Sequence, residues 1–132
     1  MSTFNLLMPH EVVERWHQLR EFLAPAVEYA GEELGVDDIR SMVLAGQMFV
    51  FADDAFAVTC QFERYPRSTA MFVGFGGGKV PDRGDVAEKL ITFAHKGGAS
   101  SIRTYCKNPA MTRYYRRWFG LTPTYTVLEK PL

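Results

Sequence analysis

From Gly84 to Lys130 the chain alternates helix and strand signals, and that alternation most constrains the fold. Residues 85–95 place Val86, Leu90, Phe93 and Ala94 on one helical stripe and run into Gly97-Gly98. At their head, Asp85-Val86-Ala87-Glu88 has the form of a capping box, with the Asp85 carboxylate accepting from the Glu88 N–H. Residues 101–106 read as a short strand, with Ile102, Thr104 and Cys106 on one face and Arg103 and Tyr105 on the other. Residues 108–119 read as a helix with Asn108 as cap, Pro109 as first residue and Gly120 as stop. Residues 124–130 read as a final strand, stopped by Pro131. A helix between two strands of one sheet makes a crossover, so the strand before residue 84 lies parallel to 101–106.

Upstream, the apolar period changes to two at Met48. Residues 48–51, 55–62 and 69–75 read as three strands, with Phe56, Val58, Cys60 and Phe62 sharing a face. The turns between them are Ala52-Asp53-Asp54 and the polar stretch 63–68, so the strands form an antiparallel meander. Before Met48 the period is helical. Val12, Trp16, Leu19 and Leu23 make one stripe after Pro9, and Pro25 is expected to break or kink it. A second helical segment is expected over 25–34 with Gly35 as stop. Asp37 is expected to cap a short helix over 38–45 that turns Ile39, Met42 and Val43 inward and ends at Gly46. These helices would cover one face of the sheet. Residues 3–7 fit either a short strand or a loose lead-in. The expectation is a single domain over 1–132, α/β (α+β), with a mixed sheet and flanking helices.

The chain is 47% hydrophobic and 14% aromatic, which suits a packed globule and excludes a disordered chain. No apolar run approaches the roughly 18–20 residues that a membrane span requires, and no basic patch precedes an apolar core at the start. A cytoplasmic or particle-bound protein is the expectation. Cys60 and Cys106 are too few for a disulfide scaffold and read as buried free thiols. His10 and His17 lack the spacing and companions of a metal site, so no metal is expected.

Formal net charge is zero, but the charges are segregated. Residues 1–54 hold ten acids and three bases, a net −7; residues 55–132 hold five acids and twelve bases, a net +7. The basic half either attracts phosphate or neutralises the acidic half across the fold. Gly76-Gly77-Gly78-Lys79 after the third strand fits an anion-binding nest with a lysine beside it, or a plain flexible connection. In the helix 108–119, Met111, Tyr114, Tyr115 and Trp118 line one side. Arg113, Arg116 and Arg117 line the other, as a solvated face or a contact surface. No aromatic residue is interleaved with glycine and basic residues on a strand, so nucleic-acid binding is not expected.

This element order resembles the GCN5-related N-acetyltransferase (GNAT) fold: helices, an antiparallel meander, then splayed parallel strands joined by a helix. The segment Asn108-Pro109-Ala110-Met111-Thr112-Arg113-Tyr114-Tyr115-Arg116-Arg117-Trp118-Phe119-Gly120-Leu121 is similar to the family's terminal pattern of Asn, an aromatic-Tyr helix and Gly-hydrophobic. The resemblance implies acetyl-CoA in a cleft between strands 69–75 and 101–106. It implies Gly76, Gly77, Gly78, Lys79, Arg83, Gly84 and Asn108 near the cofactor, and Tyr115 or Tyr114 as the acid that reprotonates the leaving thiolate. Gly120 falls one residue late, which leaves the tyrosine register open.

The family's Gln/Arg-x-x-Gly-x-Gly/Ala loop corresponds to Asp82-Arg83-Gly84-Asp85-Val86-Ala87. Ala87 fits, while Asp82 and Asp85 stand where an amide or basic residue and a glycine belong. A helix start binds phosphate through its free N–H groups and positive dipole end. Asp85 would consume those donors and repel pyrophosphate, at a cost on the order of 4 kcal/mol for like charges about 4 Å apart at an effective dielectric of about 20. Glu63 is the nearest acid for a general base. Residues 36–46, Glu63-Arg64-Tyr65-Pro66-Arg67 and the glycine run are also similar to small bacteriophage-encoded GNAT-like and internal virion proteins. Two functions follow from the resemblance. One is an acyl-CoA-dependent N-acyltransferase with a degenerate pyrophosphate loop, acting on a small amine or a protein. The other is a catalytically silent virion-associated or assembly protein that contacts itself or other virion proteins. The location implied is the cytoplasm of a host cell or the virion.

Overall fold

The computed structural model describes residues 3–31 and 33–132. Asn5–Leu6 (β1), Phe49–Ala52 (β2), Phe56–Arg64 (β3), Thr69–Gly78 (β4) and Ser101–Arg103 (β5) form one sheet in that order. β1 to β4 are an antiparallel meander, and β5 joins β4 in parallel. The helices are Pro9–Glu14 (α1), Trp16–Ala30 (α2), Val36–Leu44 (α3), Arg83–Lys96 (α4) and Pro109–Phe119 (α5). The mixed sheet with flanking helices and the parallel crossover through α4 are as the sequence implies.

Apolar alternation sorts the strands onto two cores. On one face, Val12, Leu19, Leu23, Ile39 and Val43 from α1 to α3 pack with Val50, Ala52 and Ala57. On the other, Val86, Leu90 and Ala94 of α4 pack with Phe51, Phe56, Val58, Cys60 and Met71. The Phe56-Val58-Cys60-Phe62 face therefore belongs under α4. Phe93 packs on this second core, with its ring 5.2 Å from Phe49 and 5.2 Å from Phe51.

Several local expectations are corrected. Pro25 does not break α2 but stands inside it. Trp16, Leu19, Leu23 and Val27 are buried on both sides of the proline. Their burial, at roughly 2 kcal/mol each, outweighs the roughly 3 kcal/mol of an interior proline. The helix ends at Gly31, φ 114°, not near Leu34; Glu32 of the expected segment lies outside the described residues. Asp37 does not cap α3. Gly35 is the N-cap residue, and its N–H donates to Asp38 Oδ2 at 2.7 Å. Asp37 instead accepts from Trp16 Nε1 at 2.9 Å and pairs with Arg20 at 3.3 Å.

The glycine run is neither a nest nor a flexible link. β4 continues through it, with Gly76, Gly77 and Gly78 paired to Val58, Ala57 and Phe56. Glycine is required there by α2: a Cβ on Gly77 would overlap the Phe22 carbonyl oxygen and stand 2.9 Å from the carbonyl carbon. The expected last strand over 124–130 does not form. Residues 120–132 carry no helix or strand, and Tyr125, Val127 and Leu128 are exposed. Alternation alone makes no strand where no partner edge supplies hydrogen bonds. β5 itself is shorter than expected and pairs through only Ser101, Ile102 and Arg103. Cys60 is buried as expected, its thiol pushed up to about 12 by burial, whereas Cys106 is only half-buried.

Candidate functional site

Two departures from regular sheet geometry open the site. First, β4 carries a bulge. Val58 pairs with Gly76 and Cys60 with Val73, so Thr59 alone faces Gly74 and Phe75. The bulge leaves the Phe75 N–H without a ladder partner, and it donates to the buried Thr59 Oγ1 at 2.9 Å. Gly74 leaves room for this: a Cβ there would lie 3.0 Å from that hydroxyl. Second, β4 and β5 part company. Their pairing stops at Phe72 and Arg103, while β4 runs on to Gly78 along β3. Thr104 makes the last tie, its hydroxyl donating to Val73 O at 2.8 Å, and Tyr105 turns back onto Phe72 with rings 4.8 Å apart. Beyond that tie lies the expected splay between two parallel strands.

The splay leads to the start of α4. Asp82 is the N-cap, and its Oδ1 accepts from Asp85 N at 3.0 Å. This corrects the expected capping box: the helix starts at Arg83, and Asp85 is inside its first turn rather than at its cap. Asp85 lies 3.4 Å from Lys89, so its charge is balanced within the helix. Val86 N bonds Asp82 O, which leaves the Arg83 and Gly84 N–H groups as the donors of this terminus without a hydrogen-bond partner among the described residues.

α5 crosses in front of these donors. Asn108 caps it, with Oδ1 accepting from Met111 N at 2.9 Å, as the sequence implies. The other end of the Asn108 amide donates to the Tyr29 hydroxyl at 3.0 Å, and Lys107 Nζ reaches the Tyr29 carbonyl, tying the end of α2 to the β5–α5 turn. Arg83 is fixed against α5 twice: its carbonyl accepts from Trp118 Nε1 at 2.9 Å, and its guanidinium lies 5.1 Å from the Tyr114 ring centre. Between α4 and α5 is a cavity of about 490 Å³ lined by Arg83, Gly84, Ala87, Arg113, Tyr114 and Arg117, among others. A second hollow of about 430 Å³ lies on the Cys106–Asn108 side and shares Arg113.

The two tyrosines take different surroundings. Tyr114 sits under Arg83. Tyr115 stacks on Trp118, and its hydroxyl is pushed up by burial, with Cys106 at the end of the strand segment and Tyr114 adding to the shift. The site thus brings together Arg83, Gly84 and Tyr114, with Asn108 at the β5 end of α5 and Tyr115 further along it, near Cys106. Gly76, Gly77 and Gly78 are held in β4 along β3 rather than in a phosphate nest, and Lys79 is exposed past the strand end. Glu63 is at the closed end of the β4–β5 pair, opposite Ala70, and accepts from the Tyr65 hydroxyl at 2.6 Å. Sequence reasoning missed Thr59, Thr104 and Tyr29; a glycine inside a strand pattern, Gly74, was the one hint of the bulge.

No ion pair among the described residues joins the acidic half of the chain to the basic half: His17–Glu21, Arg20–Asp37 and Lys89–Asp85 each lie within one half. Among the described residues no cluster of His, Cys, Asp and Glu could hold a metal ion, and no helix is long and apolar enough to cross a membrane.

No protein-family model and no curated protein matches the sequence. Solved structures do. An aminoglycoside acetyltransferase from an uncultured soil metagenomic sample superposes with a TM-score of 0.67 at 17% identity, covering 100% of this chain and 99% of that one. A probable acetyltransferase gives 0.73 at 8% identity, with 99% of each chain covered. Glucosamine-6-phosphate N-acetyltransferase from Arabidopsis thaliana gives 0.64 at 15% identity, covering 98% of this chain and 99% of that one. The fold is that of the GNAT acetyltransferases. None of these three structures bears on the resemblance to bacteriophage proteins.

Proposed function

We propose that this protein is an acyl-CoA-dependent N-acetyltransferase that binds acetyl-CoA across the β4–β5 splay. The observation that carries this reading is the parting of two parallel strands after Phe72 and Arg103, beside a bulge in β4 and facing free N–H groups at the start of α4. The residues fit the cofactor. Backbone groups of β4 beyond Val73 have no β5 partner and suit the amides of a pantetheine arm. The Arg83 and Gly84 N–H groups suit a pyrophosphate, and the α4 dipole adds to their pull. Asp82 uses the third donor, so the phosphate grip is reduced but not lost. The repulsion expected from Asp85 is offset by Lys89.

When bound, acetyl-CoA supplies an activated thioester. The chain's own part is to exclude water at the closed end of the splay, to hold the thioester by backbone contacts, and to manage one proton. Tyr115 keeps its phenol protonated through neutral pH, because burial opposes the charged form. It is the group we assign to protonate the thiolate. Tyr114, engaged by Arg83, is assigned to the cofactor side. No carboxylate lines either hollow, and we assign no side chain as the base for the amine, which would arrive neutral or lose its proton through water. The acceptor is a small amine or a protein amine.

Thiol release from acetyl-CoA with a panel of amines tests the reading. Turnover is expected with at least one amine, and Tyr115→Phe should lower kcat by about 100-fold with KM for acetyl-CoA little changed. Wild-type rates no faster than the uncatalysed reaction for every amine would overturn it.

A further inference from the structure

The cavity between α4 and α5 holds more positive charge than a pyrophosphate site requires. Arg83 stands at its α4 side, and Arg113 and Arg117 at its α5 side. No carboxylate lines it, and neither Arg113 nor Arg117 has an ion-pair partner among the described residues. The nearby acids are engaged elsewhere, Asp82 on the Asp85 N–H and Asp85 with Lys89. Arg117 lies in the last turn of α5, where a cation complements the helix dipole. Arg113 lies in the middle of α5 and has no such reason. Like charges four residues apart on a helix repel each other. An anion between them reverses that sign.

The rest of the cavity sets the size and kind of that anion. Gly84, Ala87 and Ala110 leave a floor without bulk, and Tyr114 and Trp118 give aromatic walls. A volume of about 490 Å³ suits a phosphorylated nucleoside rather than a lone ion. Guanidinium forks match phosphate oxygens in pairs.

We propose that Arg113 and Arg117 form a subsite for the 3′-phosphate of coenzyme A, with the adenine against Tyr114 and Trp118. The assignment rests on the acyl-CoA reading and adds to it a specificity: the chain distinguishes coenzyme A from its 3′-dephospho form. The pyrophosphate stays with the Arg83 and Gly84 N–H groups, so the two anion sites are served by different elements, α4 and α5.

Calorimetry with coenzyme A and with 3′-dephospho-coenzyme A, each titrated into the full chain, tests this. Coenzyme A is expected to bind about 30-fold more tightly, the worth of one or two charge-assisted hydrogen bonds. In Arg113→Gln/Arg117→Gln that preference should fall to within about twofold through loss of coenzyme A affinity alone, with 3′-dephospho-coenzyme A affinity unchanged and the far-ultraviolet circular dichroism preserved. Both side chains are exposed, so the double variant should fold. Equal wild-type affinity for the two ligands would overturn the subsite and leave the acyl-CoA reading standing. Binding of neither ligand would overturn both. Arg113→Lys/Arg117→Lys should keep part of the preference, since charge survives without the fork.

Discussion

Replacing Gly77 by alanine separates a packing role for the glycine run from a phosphate-binding one. The added Cβ would overlap the Phe22 carbonyl oxygen and lie 2.9 Å from the carbonyl carbon, roughly 0.8 Å inside ordinary contact. Both partners are backbone, so neither can rotate away. Either α2 lifts from β4, loosening the core around Leu19 and Leu23, or β4 leaves its pairing with Ala57. Overpacking of this kind costs about 3 kcal/mol, at the upper end of the usual range, because a helix rather than a side chain must move. For a domain of this size that is a fall in Tm of about 12 °C. Gly76 is the control in the same strand: a Cβ there meets Val58 at 3.5 Å, an ordinary contact, and alanine is expected to be neutral or to gain about 0.5 kcal/mol. Thermal unfolding by circular dichroism of both variants reads the difference. Equal stability of Gly77→Ala and Gly76→Ala, with coenzyme A affinity lost in both, would refute the strand-packing account and restore the nest.

Thr59→Val keeps the side chain's shape but removes the acceptor of the Phe75 N–H, so it should cost about 2 kcal/mol in urea unfolding; a change under about 0.5 kcal/mol would mean the bulge has another support. Asp37 has its pKa lowered chiefly by the Trp16 hydrogen bond, with the Arg20 and Arg40 charges helping. Its contribution to stability is therefore present above the unfolded value near 3.8 and lost as pH falls through the lower folded value. The stability gap between the wild type and Asp37→Asn should close over that acid range; a gap that stays constant from pH 6 to pH 2 would contradict the assignment.

The architecture was largely legible because period and punctuation agreed. The period of two after Met48, the helical stripe of Val86, Leu90 and Ala94, and the glycines at 97 and 98 all point to meander, crossover and parallel strand. The errors lie where tertiary contact decides. Gly76, Gly77 and Gly78 look the same in a loop and in a strand; what makes them strand is an α2 backbone seated on Gly77. Asp82 and Asp85 each stand three residues before a suitable N–H, so two overlapping caps were written in the chain, and the earlier one starts the helix. Residues 124–130 alternate, yet β5 gives them no long edge. Adjacent tyrosines on a helix face about 100° apart. Only tertiary contact separates them: the Arg83 guanidinium lies over Tyr114, and Tyr115 is buried toward Cys106. The arginine face of α5 was readable as basic, but that three arginines meet around one cavity depends on how α5 crosses α4.

The central claim is that acetyl-CoA occupies the splay and the start of α4. Amide-resolved NMR titration with acetyl-CoA addresses it residue by residue. The account predicts saturable shifts at Val73 to Gly76, at Arg83 and Gly84, and at Thr104 and Tyr105, with the α1–α3 face unmoved. No saturable shift at millimolar ligand, or shifts confined to α1–α3, would contradict it.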